Sequence, residues 1–364
     1  MDTRVDIAII GAGVIGLAIA NELSQNSAKT IAVLETNRSY GQETSSRNSE
    51  VIHSGIYYPA AMLKTRLCIE GNALLYKFCQ QHHIAHKNLG KFIVGSKDDT
   101  AALEELYRNG QQNGVEIAYL DKRAFARQEP GLEVDEALFI PSSGIIDARG
   151  LMQKLYYLAT ANGTMFAFGS ELLAAERLNH GYLLQTPHET IWAETLINAA
   201  GLHSDKIAAM VGIDLDQHIY HLYPCKGEYY RLKSGIPIAH LIYPLPGQGV
   251  LGIHITPDLE GRLRLGPNAY YVDELSYQMD ESHQEEFYQA LRGLIPSLRL
   301  EDITPDFAGL RPKLQGPGEP VRDFVISEET DKGYPGLINL IGIESPGLTA
   351  SLAIARYVKG LIPG

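Results

Sequence analysis

Cysteine is scarce in this 364-residue sequence. The three cysteines, Cys68, Cys79 and Cys225, lie far apart and form no CxxC pair. An odd number at such spacing excludes a disulfide scaffold and argues against a thiolate metal site. The sequence therefore predicts reduced thiols and a cytoplasmic protein.

Long apolar runs are also missing. The first apolar segment, "VDIAIIGAGVIGL", follows an acidic residue and is broken by glycines. This pattern fits neither a secretory signal nor a membrane span. Sequence repeats, low-complexity linkers and coiled-coil heptads are absent, so we expect ordinary globular folding.

Positive charge is in deficit, since 31 Lys and Arg stand against 43 Asp and Glu for a net charge of −12. A nucleic acid is therefore excluded as the main partner. An anionic small molecule would need a local basic pocket.

The first 35 residues predict a βαβ unit, with a strand over 5–10, a helix over about 14–24 and a second apolar strand over 30–34. Gly11 allows a tight turn, Gly13 lets the backbone approach a pyrophosphate, and Gly16 lets helix and strand pack closely. Glu35 follows the second strand, where it can bind an adenosine ribose. The unit predicts a dinucleotide site for NAD or FAD, and the acid disfavours NADP.

Beyond this unit the pattern changes along the chain. A long helical stretch covers 61–83, and short strands separated by turns dominate from residue 164 onward. A chain of this length exceeds one hydrophobic core. We predict an α/β and antiparallel β protein, in which a discontinuous Rossmann-like dinucleotide domain (1–85, 142–210 and 309–364) carries an inserted, mostly antiparallel substrate domain (86–141 and 211–308).

Several motifs resemble one family along the whole chain. They are "IIGAGVIGLAIANEL", "SSRNSEVIHSGIYYP", "CKGEYY", "GIHITPDLEGRLRLGPNA", "GLRPK" and "IGIESPGLTASLAIA". The sequence is similar to the FAD-dependent D-amino-acid oxidase and glycerol-3-phosphate dehydrogenase superfamily, and within it to the L-2-hydroxyglutarate dehydrogenases and oxidases. The resemblance implies FAD as cofactor and an L-2-hydroxy acid, L-2-hydroxyglutarate above all, as substrate.

The resemblance also implies which residues hold the flavin. The turn at 198–201 is expected to contact it, although Leu202 and His203 stand where many relatives have a Trp, and residues 345–349 are expected to reach its pyrimidine edge. Small polar groups at 45–48 suit the pyrophosphate and ribityl chain. The predicted cofactor residues are Gly11, Gly13, Val14, Ile15, Gly16, Glu35, Ser45, Ser46, Asn48, Leu172, Ala200, Gly201, Gly347, Leu348 and Thr349.

Oxidising a 2-hydroxy acid requires a base for the hydroxyl proton and a cation for the carboxylate. Either His53 or His254 can be the base, and the planar fork of Arg311 suits the carboxylate. Tyr57, with Tyr58, is expected to wall the substrate pocket. Lys226 and Tyr243 are candidates for a second carboxylate.

Alternative interpretations stay open at this point. The protein can instead oxidise an amine such as glycine, sarcosine or a D-amino acid, or hold a dinucleotide without turnover. Neither histidine cluster, 82–86 or 218–221, has the neighbours of a metal site, so no metal is expected. The electron acceptor can be a quinone, a soluble carrier or oxygen, and the C-terminal apolar stretch leaves peripheral contact with the inner membrane open.

Overall fold

The computed structural model describes residues 3–233, 235–245 and 252–362. Its strands are β1 (Thr3–Ile10), β2 (Ile31–Glu35), β3 (Val51–Ile52), β4 (His86–Lys87), β5 (Lys91–Gly95), β6 (Ala118–Asp121), β7 (Glu136–Ile140), β8 (Gly144–Ile146), β9 (Met165–Phe168), β10 (Ala174–Arg177), β11 (Tyr182–Gln185), β12 (Thr190–Asn198), β13 (Tyr223–Leu232), β14 (Leu241–Pro244), β15 (Ile255–Pro257), β16 (Leu263–Leu265), β17 (Tyr270–Tyr271), β18 (Ile303–Lys313), β19 (Val325–Glu329) and β20 (Tyr334–Ile341). The helices are α1 (Val14–Ser24), α2 (Leu63–His82), α3 (Thr100–Gln112), α4 (Lys122–Ala126), α5 (Ala148–Ala161), α6 (Ser204–Val211), α7 (Leu215–His218), α8 (Gln284–Leu291) and α9 (Gly347–Leu361).

The first sheet is built around parallel strands that are buried on both faces. Its order is β10-β11-β12-β1-β2-β9, and β20 pairs with β12 and β19. Along β1, Ile7 and Ile9 pack on the side of α1, α2, α5 and α9, while Ala8 and Ile10 pack on the side of α6. This alternation explains why the second half of β1, residues 7–10, is apolar without interruption, as parallel strands between two helical layers are.

The second sheet is mostly antiparallel and contains the strands of the inserted region. Its order is β17-β13-β16-β15-β14-β5-β7-β6, with β18 pairing β13. A small sheet, β3-β8-β4, joins the two parts of the chain. The predicted fold class is confirmed.

The domain limits stay predictions, and strand pairing crosses two of them, since β4 on the substrate side pairs with β8 on the dinucleotide side. Residue 309 falls within β18, all of which pairs antiparallel with β13 from Ile303 to Lys313. A limit after Lys313 therefore agrees better with the sheets.

The segment "VLGIHIT" alternates in the way that predicts a strand, but its described residues 252–254 lie outside any strand. Val250 and Leu251 lie outside the described residues, and pairing begins only at Ile255, which lies opposite Ile242 and Leu265. His254 therefore precedes β15, and its carbonyl accepts a hydrogen bond from the Gly266 N–H at 2.9 Å.

Helix α9 packs against α1 and α2 with its apolar side, including Ala350, Ile354 and Val358, in the core. The apolar C-terminal stretch thus acts as a core helix. Among the helices that the structure describes, none is long and apolar enough to cross a membrane.

Candidate active site

A cavity of about 590 Å³ borders both large sheets. Its walls come from the turn after β1, the loop after β2, the turn after β12, the strand β18 and the start of α9. Predicted residues that line it are Gly11, Gly13, Val14, Ile15, Glu35, Ser45, Asn48, His53, Leu172, Ala200, Gly201, Tyr243, His254, Arg311, Gly347 and Leu348.

The turn after β1 needs glycine because two backbone segments run against each other there. Gly11 has a φ of +100°, and a Cβ on it would stand 2.6 Å from the Ala199 carbonyl oxygen. A Cβ on Gly16 would stand 2.0 Å from the Gly11 carbonyl oxygen. Gly16 is therefore a packing residue outside the cavity wall, whereas Gly11 and Gly13 keep the start of α1 open to the cavity.

Glu35 lies at the end of β2 and is only 8% exposed. One carboxylate oxygen accepts the Ala12 N–H at 2.8 Å. The other accepts the Asn37 backbone N–H at 2.8 Å and its side-chain amide at 2.9 Å. These bonds hold the carboxylate beside the glycine turn.

The loop after β2 approaches α1 from the other side. The Ser45 hydroxyl accepts the Val14 N–H at 2.9 Å. Asn48 lines the cavity, but its side chain braces the loop by bonding the Ser45 carbonyl and the Glu50 N–H. Ser46 is not in the wall, because its hydroxyl donates to the Glu43 carbonyl within the turn.

The predicted contact at Thr349 differs in the structure. This side chain is buried, accepts the His53 N–H at 2.9 Å and donates to the Val51 carbonyl at 3.3 Å. Thr349 therefore joins α9 to the segment after β3, and the cavity wall is made by its neighbours Gly347 and Leu348.

The rings of both candidate bases, His53 and His254, lie against the same residue, Tyr243. The His254 ring stacks on Tyr243 with centroids 3.5 Å apart and an angle of 15°. The His53 ring lies edge-on to Tyr243 at 6.5 Å, and its Nε2 is 3.4 Å from the Ser345 hydroxyl. Burial, and then the charge of Lys91, lowers the pKa of both imidazoles, so each is neutral at pH 7.

Arg311 extends from β18 toward the same end of the cavity. Its guanidinium donates to the Asn268 carbonyl at 3.3 Å and to the Cys225 sulfur at 3.7 Å. A Cβ on Gly227 would stand 2.8 Å from its Nη2, so glycine leaves room for the guanidinium on β13. These contacts orient the group.

Two predicted substrate residues are not in the cavity wall. The Lys226 ammonium donates to the Gln278 carbonyl and lies 4.0 Å from Glu228. Tyr57 lies outside the wall, with its ring 4.7 Å from the Lys91 ammonium. Tyr243, in contrast, lines the cavity.

Sequence reasoning missed two cations. Arg47 lies within the polar segment at 45–59, lines the cavity and stacks on Tyr277 at 4.2 Å. Lys91 lies behind Tyr243. A signal for Lys91 existed in "GKFIVG", where a lysine stands in an otherwise apolar strand, but only the fold could bring it next to the cavity.

No group of three or more His, Cys, Asp or Glu side chains that the structure describes is arranged to hold a metal ion. The three cysteines are free and buried.

The residues present fit an FAD molecule. Helix α1 begins after Gly13, which has no side chain to cap it; Ser45 accepts the Val14 N–H, and the N–H groups that follow would face a phosphate. The buried Glu35 carboxylate suits a ribose. A Cβ on Gly13 would stand 3.0 Å from the Ser45 hydroxyl, so glycine keeps open the space between the start of α1 and the Ser45 loop. The turn at 199–202 and the loop at 343–348 line the same cavity.

We expect Glu35→Gln to weaken FAD binding about 10- to 100-fold, because an amide NH₂ would face the N–H groups that the carboxylate now accepts. Titration of the apoprotein with FAD, followed by flavin fluorescence, measures the change. Glu176→Gln, at an exposed position of β10, is the matched control. Equal dissociation constants for Glu35→Gln and the unmodified protein would remove Glu35 from the cofactor site.

Known proteins with similar sequences and folds support this fit. The profile of the family described as "DAO: FAD dependent oxidoreductase" matches residues 6–361. The mitochondrial L-2-hydroxyglutarate dehydrogenase of Arabidopsis thaliana is 36% identical, over 98% of this chain and 83% of that protein. A glycerol 3-phosphate dehydrogenase of Caloramator mitchellensis is 32% identical, over 98% of this chain and 73% of that protein.

Among solved structures, L-α-glycerophosphate oxidase from Mycoplasma pneumoniae with FAD bound superimposes with a TM-score of 0.88 at 26% identity, covering 98% of this chain and 94% of that chain. The family match spans nearly the whole chain, and the cavity has the glycines and the acid that a flavin dinucleotide requires. The chain belongs to the DAO family and is an FAD-dependent oxidoreductase.

Proposed function

We propose that this protein oxidises an L-2-hydroxy dicarboxylate, L-2-hydroxyglutarate, to its 2-oxo acid. The observation that carries the proposal is the convergence of Arg311, His53 and His254 on one cavity. The names of several relatives, among them the L-2-hydroxyglutarate dehydrogenases of Arabidopsis thaliana and Nematostella vectensis, support the substrate.

Arg311 would bind the carboxylate next to the hydroxyl group. Asn268 and Cys225 hold two of its nitrogen atoms, and the remaining N–H groups can pair with two carboxylate oxygens. This pairing orients the hydroxyl-bearing carbon within the cavity.

One of the two histidines would accept the hydroxyl proton. A neutral imidazole is the form that can do so, and the lowered pKa keeps both rings in that form at neutral pH. FAD, when bound, supplies the acceptor for the hydride that leaves the same carbon. The imidazole accepts the hydroxyl proton. The electron pair of the broken O–H bond then forms the second bond between carbon and oxygen, which gives the carbonyl of the 2-oxo acid.

Tyr243 would contribute a neutral donor to the second carboxylate. Burial raises the pKa of its phenol well above the ordinary value, so the O–H stays protonated across the working range. Lys226 is not proposed for this role, because its ammonium already bonds Gln278.

Anaerobic mixing of the FAD-loaded protein with single substrates tests the proposal. We expect L-2-hydroxyglutarate to bleach the flavin and to yield one 2-oxo acid per flavin, while its D-enantiomer reacts much more slowly. The panel includes glycerol 3-phosphate, glycine, sarcosine and a D-amino acid.

The panel also separates the alternatives. Bleaching by an amine alone would identify an amine oxidase, and bleaching by glycerol 3-phosphate alone would favour the activity named for the Caloramator mitchellensis relative. Either result would overturn the proposed substrate. Bleaching by no compound would favour a bound dinucleotide without turnover.

Oxygen, a quinone or a soluble carrier would take up the electrons released by the substrate. Re-oxidation rates measured separately with each acceptor, after one round of substrate reduction, distinguish an oxidase from a dehydrogenase.

A further inference from the structure

Lys91 is buried in the second sheet without a partner for its charge. It lies on β5, opposite Leu241 of β14 and Ile140 of β7, and is 0% exposed. Its ammonium has no hydrogen-bond partner among the residues that the structure describes. An unpaired buried ammonium is costly to stability, so its presence calls for a reason.

The ammonium lies against aromatic rings of the candidate active site. It stands 4.8 Å from the Tyr243 ring centroid and 4.7 Å from that of Tyr57. Tyr243 in turn stacks on His254 and lies edge-on to His53. A cation over a ring face is attracted to the π electrons, more strongly where water is excluded.

We propose that Lys91 is a positioning residue of the oxidising site, whose buried ammonium braces the Tyr243–His254 stack and disfavours a second positive charge on either candidate base. The inference rests on the proposed function for its consequence in catalysis. Its structural part concerns only the ionisation of two histidines in this chain.

The groups around Lys91 leave its charge uncompensated. Its neighbours are one thiol, two phenols and two imidazoles, and another cation, Arg311, acts on His254 from β18. None of these brings a negative charge near neutral pH, since burial raises the pKa of the Cys68 thiol, of Tyr57 and of Tyr243. The groups are Cys68, Tyr57, Tyr243, His53, His254 and Arg311.

The sign of the effect follows from the charges. Burial lowers the pKa of Lys91 to about 7, so its ammonium is charged below neutral pH and loses its proton above it. While charged, it lowers the pKa of His53 and His254. Removing the charge raises both histidine pKa values, and the difference shows in acidic solution, where Lys91 is charged and the imidazoles take up their protons.

Lys91→Met tests the proposal, because Met replaces the apolar stem and removes only the charge. The matched control is Lys64→Met on α2, where a lysine 1% exposed also lies over two rings, those of Tyr58 and Phe324. The readouts are the histidine titrations by NMR of the ¹⁵N-histidine-labelled protein and the pH profile of anaerobic flavin reduction by whichever compound of the panel reduces it.

We expect Lys91→Met to raise the pKa of at least one of the two histidines by about one pH unit and to move the acid limb of the rate profile upward by the same amount. The two profiles should converge near neutral pH, where both imidazoles are neutral in either protein, and Lys64→Met should titrate as the unmodified protein does. Unchanged histidine titrations, or a rate lowered equally at every pH, would overturn the proposal. Failure of L-2-hydroxyglutarate to reduce the flavin would leave the histidine titrations interpretable, so the two proposals fail separately.

Discussion

His254→Ala or His53→Ala, whichever removes the catalytic base, should lower the rate constant of anaerobic flavin reduction at least about 100-fold. The loss is large because the imidazole would accept the hydroxyl proton, whereas alanine offers no basic nitrogen in its place. Flavin content should stay unchanged, since the hydrogen bonds of His53 to Thr349 and Asn72 use its backbone.

Added imidazole distinguishes the base from its neighbour. A small base diffusing into the space left by alanine restores part of the rate only where the lost side chain accepted the proton. We expect rescue in one of the two variants and not in the other, which would then have an orienting role.

The acid limb of the rate profile gives a second check. Because burial holds the pKa of both imidazoles below the ordinary 6.5, the neutral base persists below that pH, and activity should fall only in more acidic solution. His188→Ala, at an exposed turn, is the control. Rates near that of the unmodified protein in both His53→Ala and His254→Ala would exclude each as the base.

The parts of the fold that could be predicted from the sequence depend on neighbours in the chain. The βαβ unit is such a case, since a buried strand, a glycine turn and a helix impose their pattern within 35 residues. The spacing alone places Gly16 against Gly11, where it packs outside the cavity wall, although Gly16 was also predicted among the cofactor residues.

The parts that could not be predicted depend on distant contacts. Thr349 turns into the core because β3 lies beside α9, a contact across almost 300 residues. The Lys226 ammonium bonds the Gln278 carbonyl instead of lining the cavity, and Lys91 is linked to His254 through Tyr243 on β14. The residue types predicted the chemistry that these side chains can perform, whereas their positions depend on how the strands pair.

The second large effect is expected on substrate binding when the guanidinium of Arg311 is removed. Arg311→Met should raise the Michaelis constant for the hydroxy acid at least about 100-fold, because two charge-assisted hydrogen bonds at about 1.5–3 kcal/mol each are lost. The turnover number should change less, since the group binds the substrate before and during reaction alike. Arg311→Lys keeps the charge but not the planar pair of donors, so we expect an intermediate constant.

A neutral analogue shows whether the contact is to a carboxylate. The unmodified protein should strongly prefer the free acid over the amide at the same carbon, whereas Arg311→Met should lose most of this preference. Arg299→Met is the control, because that guanidinium is exposed and pairs only with Glu301 and Asp302 of its own turn. An unchanged Michaelis constant in Arg311→Met, or an equal preference for the acid in both proteins, would remove Arg311 from the carboxylate site. The hydrogen bonds of Glu35 to Ala12 and Asn37 do not involve Arg311, so the flavin content of Arg311→Met should match that of the unmodified protein. Loss of the flavin in this variant would instead indicate that Arg311 binds the cofactor.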